Sequence, residues 1–255
     1  MGDTGTGEEL GLEIREHVAV VEIQRPPANH FDAGLIQALA DTYQGLDADP
    51  ACRVILLCSE GKHFCAGADF GGGRRDEPAD LYDEAVRMFA AEKPVVAAVQ
   101  GAAVGGGLGL ALSADLRVAS PEARFSANFA RLGFHQGFGL SVTLPELIGK
   151  SAAMELLYTG RRVKGEDALA LGLCDRLVPL AELRDAAFAL AREIAKSAPL
   201  AVRSIRRTLR GDLAERIRAA TTHEQAEQER LRKTEDFREG VRAMAERRDP
   251  DFQER

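Results

Sequence analysis

Two short stretches of this 255-residue chain set glycine just after an apolar run: His63-Phe-Cys-Ala-Gly67-Ala68-Asp69 and Gly105-Gly106-Gly107. Glycine lets a backbone turn sharply and lets a ligand approach an N–H group. Two such loops at the ends of neighbouring strands can aim two N–H donors at one oxygen, the geometry of an oxyanion hole. The alternative is that the glycines serve only tight turns and close helix packing. Rival chemistries fail on spacing. A dinucleotide turn, G-x-G-x-x-G/A, breaks at Leu110 when started from Gly105 and at Leu112 when started from Gly107. Gly149-Lys150-Ser151 ends like a phosphate loop, but Leu144 stands where the first glycine belongs. The nucleophile elbow G-x-S-x-G fails around Ser141, where Thr143 holds the last place. No His, Cys and carboxylate cluster has metal-ligand spacing, so no metal is expected.

These loops need elements to position them. Val18 to Ile23 reads as a strand with Leu12 to Arg15 as its hairpin partner. Arg25-Pro-Pro-Ala-Asn29 is a loop, and Asp32 looks like an N-cap before Leu35, Ile36, Leu39, Tyr43 and Leu46 at helical spacing. Val54 to Leu57 and Val95 to Val99 are short apolar runs typical of buried strands, with a helix expected from Leu81 to Ala91 between them. Strands alternating with helices predict βαβ units and a parallel sheet. After about Ser151 helices follow one another to the C-terminus. The polar run from Thr222 to Arg232 reads as a solvated helix face. The expected division is an α/β core over 1–190 and a helical region over 191–255.

Composition narrows the function. A formal net charge of −7 argues against nucleic acid as partner. No apolar run is long enough to span a membrane, and the first residues lack the pattern of a signal peptide. Cys52, Cys58, Cys65 and Cys174 show no C-x-x-C spacing, so reduced thiols in a cytoplasmic protein are expected.

Taken together, the stretches resemble a known family. Arg25-Pro-Pro-Ala-Asn29, Phe64-Cys-Ala-Gly-Ala-Asp69, the run from Lys93 to Gly107 and Ser113-Ala-Asp115 match the crotonase superfamily, the enoyl-CoA hydratase/isomerase family. Gly149-Lys-Ser-Ala-Ala-Met154, Ala168-Leu-Ala-Leu-Gly172 and Glu239-Gly240 continue the match in order. The resemblance implies an α/β fold with a crotonase-like core of repeated ββα turns. It also implies a C-terminal helical region used in trimerisation, giving a homotrimer or homohexamer. The implied ligand is an acyl-CoA thioester, with coenzyme A as part of the substrate and no separate cofactor. By position, Ala68 and Gly106 would donate the oxyanion-hole N–H groups. Ala28, Asp69, Phe70 and Gly71 match positions lining the CoA and acyl path. Arg25 and Arg247 are candidates for the CoA phosphates.

The chain departs from the family where protons move. Hydratases of this family use two glutamates, and those positions hold Gly109 and Phe129 here. A third carboxylate position, used by some isomerases and dehalogenases, holds Gly137. A general acid or base must be a titratable group within hydrogen-bond reach. His135, two residues before Gly137, is the candidate base; Asn128, Gln136 and Ser141 are poor bases. The leading reading is an enzyme, a lyase or isomerase acting on an acyl-CoA through an enolate, without standard hydration of a 2-enoyl-CoA. The alternatives are an acyl-CoA decarboxylase or hydrolase, and an acyl-CoA-binding protein without turnover.

Overall fold

The computed structural model describes residues 9–68 and 78–255. β1 (Leu10–Arg15) and β2 (Val18–Ile23) form the antiparallel hairpin. Its turn residues, Glu16 and His17, both have positive φ, which matches the twist of the strands they join. Asp32 caps α1 (Ala33–Ala48) by accepting the Leu35 N–H at 2.9 Å. β3 (Val54–Ser59), α2 (Pro78–Phe89) and β4 (Val95–Val99) follow. β5 (Ala102–Val104), α3 (Gly106–Ser113), β6 (Leu116–Ala119) and β7 (Arg124–Ser126) complete the portion that carries both glycine loops.

The second half holds α4 (Leu140–Ile148), α5 (Lys150–Thr159), β8 (Val163–Lys164), α6 (Gly165–Leu171) and β9 (Arg176–Leu177). It ends in α7 (Leu183–Ala195), α8 (Pro199–Arg210), α9 (Leu213–Leu231) and α10 (Glu235–Glu246). The larger sheet runs β1-β2-β3-β4-β6-β9 and is parallel from β2 onward; the smaller runs β5-β7-β8. Each inner strand of the larger sheet leads into a short extended segment of a second layer. β4 leads into β5 and β6 into β7, while isolated bridges pair Phe31 with Ala68 and Cys65 with Ala103. This is the crotonase-like ββα repeat. Among the described residues no helix is long and apolar enough to cross a membrane.

β3 and β4 are buried along their whole length because both faces are covered. Ile55 and Leu57 face the main core with α1 and α2, whereas Val54, Leu56 and Cys58 face α7. The division expected at 190 therefore falls inside α7, whose Leu183, Ala187, Leu190 and Ala191 are part of the sheet's packing.

The solvated face expected for 222–232 holds for most of the run, with Thr222, His223, Ala226, Glu229, Arg230 and Arg232 exposed, but two of its polar side chains turn inward. Ile217, Thr221, Glu224 and Gln228 recur at helical spacing along α9 and are buried, Glu224 completely. Polarity in the sequence marks no direction; here the polar stripe points inward, because backbone donors and acceptors wait for it there.

α8 is amphipathic in the reverse sense. Its buried side chain is Arg206, while Leu200, Ile205 and Leu209 are exposed. Arg206 and Arg210 both bind Asp115, at 2.9 and 2.7 Å, and the same carboxylate accepts the Val95 N–H at 2.8 Å. Burial alone would raise the Asp115 pKa, but Arg210 and Arg206 outweigh it and hold the carboxylate below its ordinary range. A carboxylate whose pKa is depressed by folding contributes stability above its unfolded value, near 4, and loses it as pH falls. Asp115→Ala is expected to cost about 3 kcal/mol at pH 7, since it strands two guanidinium groups. Chemical denaturation should show that penalty shrinking as pH falls below about 4.

Candidate active site

The direction of two peptide planes builds the site. The Gly67 carbonyl accepts the Phe31 N–H at 3.1 Å and lies 3.0 Å from His30 Nδ1. A carbonyl only accepts, so Nδ1 carries the proton and donates. In a trans peptide the next N–H points the opposite way, so Ala68 N–H is turned away from Phe31. Gly67 makes the bend with φ of 95°; a Cβ there would come within 2.9 Å of the Val104 carbonyl oxygen. That hypothetical atom would also lie 4.0 Å from the Gly106 nitrogen, so the Gly67–Ala68 peptide runs beside the second donor.

The Gly105 carbonyl accepts Leu108 and Gly109 N–H groups at 3.0 and 3.3 Å in the first turn of α3. The Gly106 N–H therefore points out of the helix N-terminus, where the peptide dipoles favour negative charge. Neither Ala68 nor Gly106 donates a backbone hydrogen bond among the described residues. The loops are tied together by Cys65, which donates to Ala102 O at 2.8 Å and accepts from Val104 N at 3.1 Å. The Gly107 Cα faces the Cys65 carbonyl so closely that a Cβ would overlap it.

The three carboxylate positions are filled with other groups. A Cβ on Gly109 would come within 2.6 Å of Phe138 Cβ, so the Phe138 side chain stands where a longer residue would extend. Phe129 is buried. A side chain on Gly137 would run into the Tyr82 hydroxyl and Gln228 Nε2. Phe31 lies against the Gly106 Cα and meets Phe138 edge to face, with ring centroids 5.6 Å apart.

Phe138 has a left-handed backbone, φ 59°, which is costly for a bulky residue. The buried α9 stripe holds it. Glu224 accepts the Gly139 and Ser141 N–H groups at 2.9 and 3.0 Å. Gln228 donates to the His135 and Gln136 carbonyls and accepts the Tyr82 hydroxyl at 2.8 Å. Burial, first, and the nearby Glu224 charge push the Tyr82 phenol above its ordinary range, so it stays a donor.

The expected residues are thus partly gathered. Ala68 and Gly106 come together. His135 packs on α9, edge-on to His223 with ring centroids 5.8 Å apart, and its Nδ1 lies 2.8 Å from the Gln136 carbonyl. None of its described contacts reaches Ala68 or Gly106. The Ala28 carbonyl accepts Ala66 N–H at 3.0 Å, beside the first loop. The Arg25 guanidinium is already engaged by Glu9 and Asp32, so it serves the α1 cap rather than standing free. Arg247 ends α10 in an exposed left-handed turn. Asp69, Phe70 and Gly71 lie outside the described residues. His63 Nδ1 accepts the Ala102 N–H at 3.2 Å.

Sequence reasoning missed His30, Glu224 and Gln228. Each acts through a backbone group distant in sequence, and no local pattern marks that. All four cysteines are buried, and burial pushes the thiols up, Cys65 to about 12, so none offers a thiolate. Among the described residues no group of three or more His, Cys, Asp or Glu could hold a metal ion.

Comparison with known proteins gives the family and the fold. The family model described as enoyl-CoA hydratase/isomerase matches residues 13–255. The chain belongs to the enoyl-CoA hydratase/isomerase family. A carnitinyl-CoA dehydratase of Proteus mirabilis (strain HI4320) is 33% identical, over 97% of this chain and 99% of that protein. The crystal structure of an enoyl-CoA hydratase/isomerase from Pseudoalteromonas atlantica T6c superposes with a TM-score of 0.88 at 29% identity, covering 96% of this chain and all of that one, 100%. An enoyl-CoA hydratase from Mycobacterium avium subsp. paratuberculosis K-10 gives 0.86 at 27%, covering 96% and 99%.

Replacing Gly106 with Val tests the second donor. Its side chain would overlap the Phe31 ring, and the N–H would have to move. Acyl-CoA turnover, once a substrate is in hand, is expected to fall by a factor of at least about 10²–10³, with the circular dichroism spectrum retained.

Proposed function

We propose that this chain binds an acyl-CoA thioester and stabilises its enolate through Ala68 N–H and Gly106 N–H, in a reaction other than water addition to a 2-enoyl-CoA. The observation that carries this reading is the pair of outward N–H groups beside three carboxylate positions that hold no carboxylate. An enolate places negative charge on the thioester oxygen, and fixed donors in a dry site favour that charge over the neutral ground state. The carnitinyl-CoA dehydratase relative supports a CoA thioester as the ligand class.

A reaction that makes its own enolate fits best. When a carboxylate β to the thioester carbonyl leaves as CO₂, the electron pair of the broken C–C bond becomes the enolate, and no protein base is required. Proton abstraction or activation of water needs a titratable group at the reacting atoms, and Gly109, Phe129 and Gly137 supply none. Arg247, rather than the engaged Arg25, is the cation we assign to the CoA phosphates. A second reading, binding without turnover, is favoured by the way Phe138 and Tyr82 fill the space of the missing acids.

Calorimetry with a non-hydrolysable acyl-CoA should show binding at micromolar concentration or tighter. In a panel of crotonyl-CoA, malonyl-type CoAs and aryl-acyl-CoAs, crotonyl-CoA is expected to remain unhydrated while a carboxylated thioester is consumed. Absence of binding would remove the proposal; binding with no turnover of any member would leave the second reading in its place.

For His135 the placement against α9 sets the expectation. His135→Ala should change the rate less than about threefold and leave its pH dependence in place. A loss of order 10²–10⁴ with flattening near neutrality would instead make it the general base.

The exposed Leu200, Ile205 and Leu209 on α8 are, in our reading, where copies of this chain meet. Light scattering at micromolar concentration is expected to give a trimer or hexamer, and Leu200→Lys with Leu209→Lys should shift it toward the monomer.

A further inference from the structure

A second concavity lies where β3, β4 and β6 end. It encloses about 500 Å³, the size of a small-molecule site. The carboxyl ends of parallel strands are where open α/β sheets commonly take ligands. Its floor is the Gln100–Gly101 corner between β4 and β5. Its rim carries Lys62 from the turn after β3, Arg124 from β7 and Lys164 from β8. Among the described residues none of these three cations forms an ion pair or a side-chain hydrogen bond. Like charges around one hollow repel, and an anion between them would relieve that. Their field is felt locally: burial first, then Arg124 and Lys62, depress the His63 imidazole below its ordinary range.

An independent observation concerns Gln100. The residue is 5% exposed and lines the hollow. Its amide nitrogen donates to Ser59 O at 2.8 Å and Gly61 O at 3.3 Å. Two carbonyl partners fix which end is nitrogen, so the orientation is not ambiguous. Its Oε1 is buried with no donor. A buried acceptor left unpaired is costly, and a ligand N–H or O–H would satisfy it. Glu122 adds an acceptor-only carboxylate, of the kind that binds ribose hydroxyls. Leu180, half exposed, adds an apolar wall.

We propose that this hollow is a binding site for a nucleoside phosphate, separate from the acyl-CoA path. Lys62, Arg124 and Lys164 take the phosphate, Glu122 the ribose hydroxyls, Gln100 Oε1 an amino group of the base, and Leu180 the face of the base. Neither Arg25, Ala28 nor Arg247 lines it. The site stands whether or not the enolate reading of the other loops holds.

The test is calorimetry of the full chain with ADP, with inorganic phosphate and adenosine as separate probes. One ADP per chain is expected at micromolar concentration, with either fragment binding far more weakly. Lys62→Ala and Lys164→Ala, both at exposed positions, should each weaken ADP by at least about tenfold and leave acyl-CoA affinity unchanged. Arg247→Ala should leave ADP binding intact. Nuclear magnetic resonance should show the His63 pKa rising when ADP is bound, because the anion offsets the neighbouring cations. Absence of binding, or ADP affinity indifferent to both lysines, overturns the proposal. So does equal loss of ADP and acyl-CoA binding in the lysine variants, which would make the hollow the nucleotide end of the CoA path. Inorganic phosphate binding as tightly as ADP also overturns it, leaving an adventitious ion only.

Discussion

The Gly67 carbonyl takes two donors, the Phe31 N–H and the His30 imidazole, and with them fixes the plane of the Gly67–Ala68 peptide. Because the peptide is rigid and trans, fixing the oxygen also fixes the Ala68 N–H on the other side. The Gly105 carbonyl does the same for Gly106 by being spent in the first turn of α3. Cys65 then locks the two loops in register through both its backbone groups. The two N–H groups are aligned before any ligand arrives; in the proposed role they would stabilise developing charge without a cost of reorganisation. Glycine is required at 67 by its positive φ and at 106 by the Phe31 ring lying on it.

The surroundings of these donors are apolar and closed by a polar seam on the far side. Phe31, Phe129 and Phe138 are buried and keep the dielectric low, so the two hydrogen bonds of the proposed oxyanion hole would count for more than they would in water. The left-handed backbone of Phe138 persists because Glu224 and Gln228 take up the polar groups of the 135–141 loop. α9 thus acts on the pocket at one remove: its buried stripe holds a loop, and the loop presents a ring. The same ring occupies the space that a carboxylate at 109 would enter, so the absence of an acid is built into the packing as well as the sequence.

Much of this was legible from residue types. The hairpin, the Asp32 cap, the buried strands and the terminal helices follow from periodicity, and their observed limits differ from expectation by only a few residues. The family resemblance pointed to Ala68 and Gly106, whose N–H groups make no backbone hydrogen bond among the described residues; their role as donors is the proposal. What could not be read was direction. The run from 222 to 232 is polar both where it faces water and where Glu224 and Gln228 meet the backbone of the 135–141 loop, and the sequence does not say which of its residues turn inward. The boundary expected at 190 lies inside α7 for a similar reason: α7 has one apolar face, and the sequence does not say that the outer side of the sheet is what it covers. His135 looked placed for chemistry by its count from Gly137, but a loop with left-handed residues at 138 and 139 does not keep a simple alternation of sides.

The claim on which the account rests is that Ala68 and Gly106 grip the thioester oxygen. Infrared difference spectroscopy of a bound, non-reacting acyl-CoA labelled with ¹³C at the thioester carbonyl measures that grip directly. Two charge-stabilising donors should move the carbonyl stretch to clearly lower frequency than in water, and the shift should largely vanish in Gly106→Val. A bound thioester whose carbonyl absorbs at its aqueous position would contradict the account.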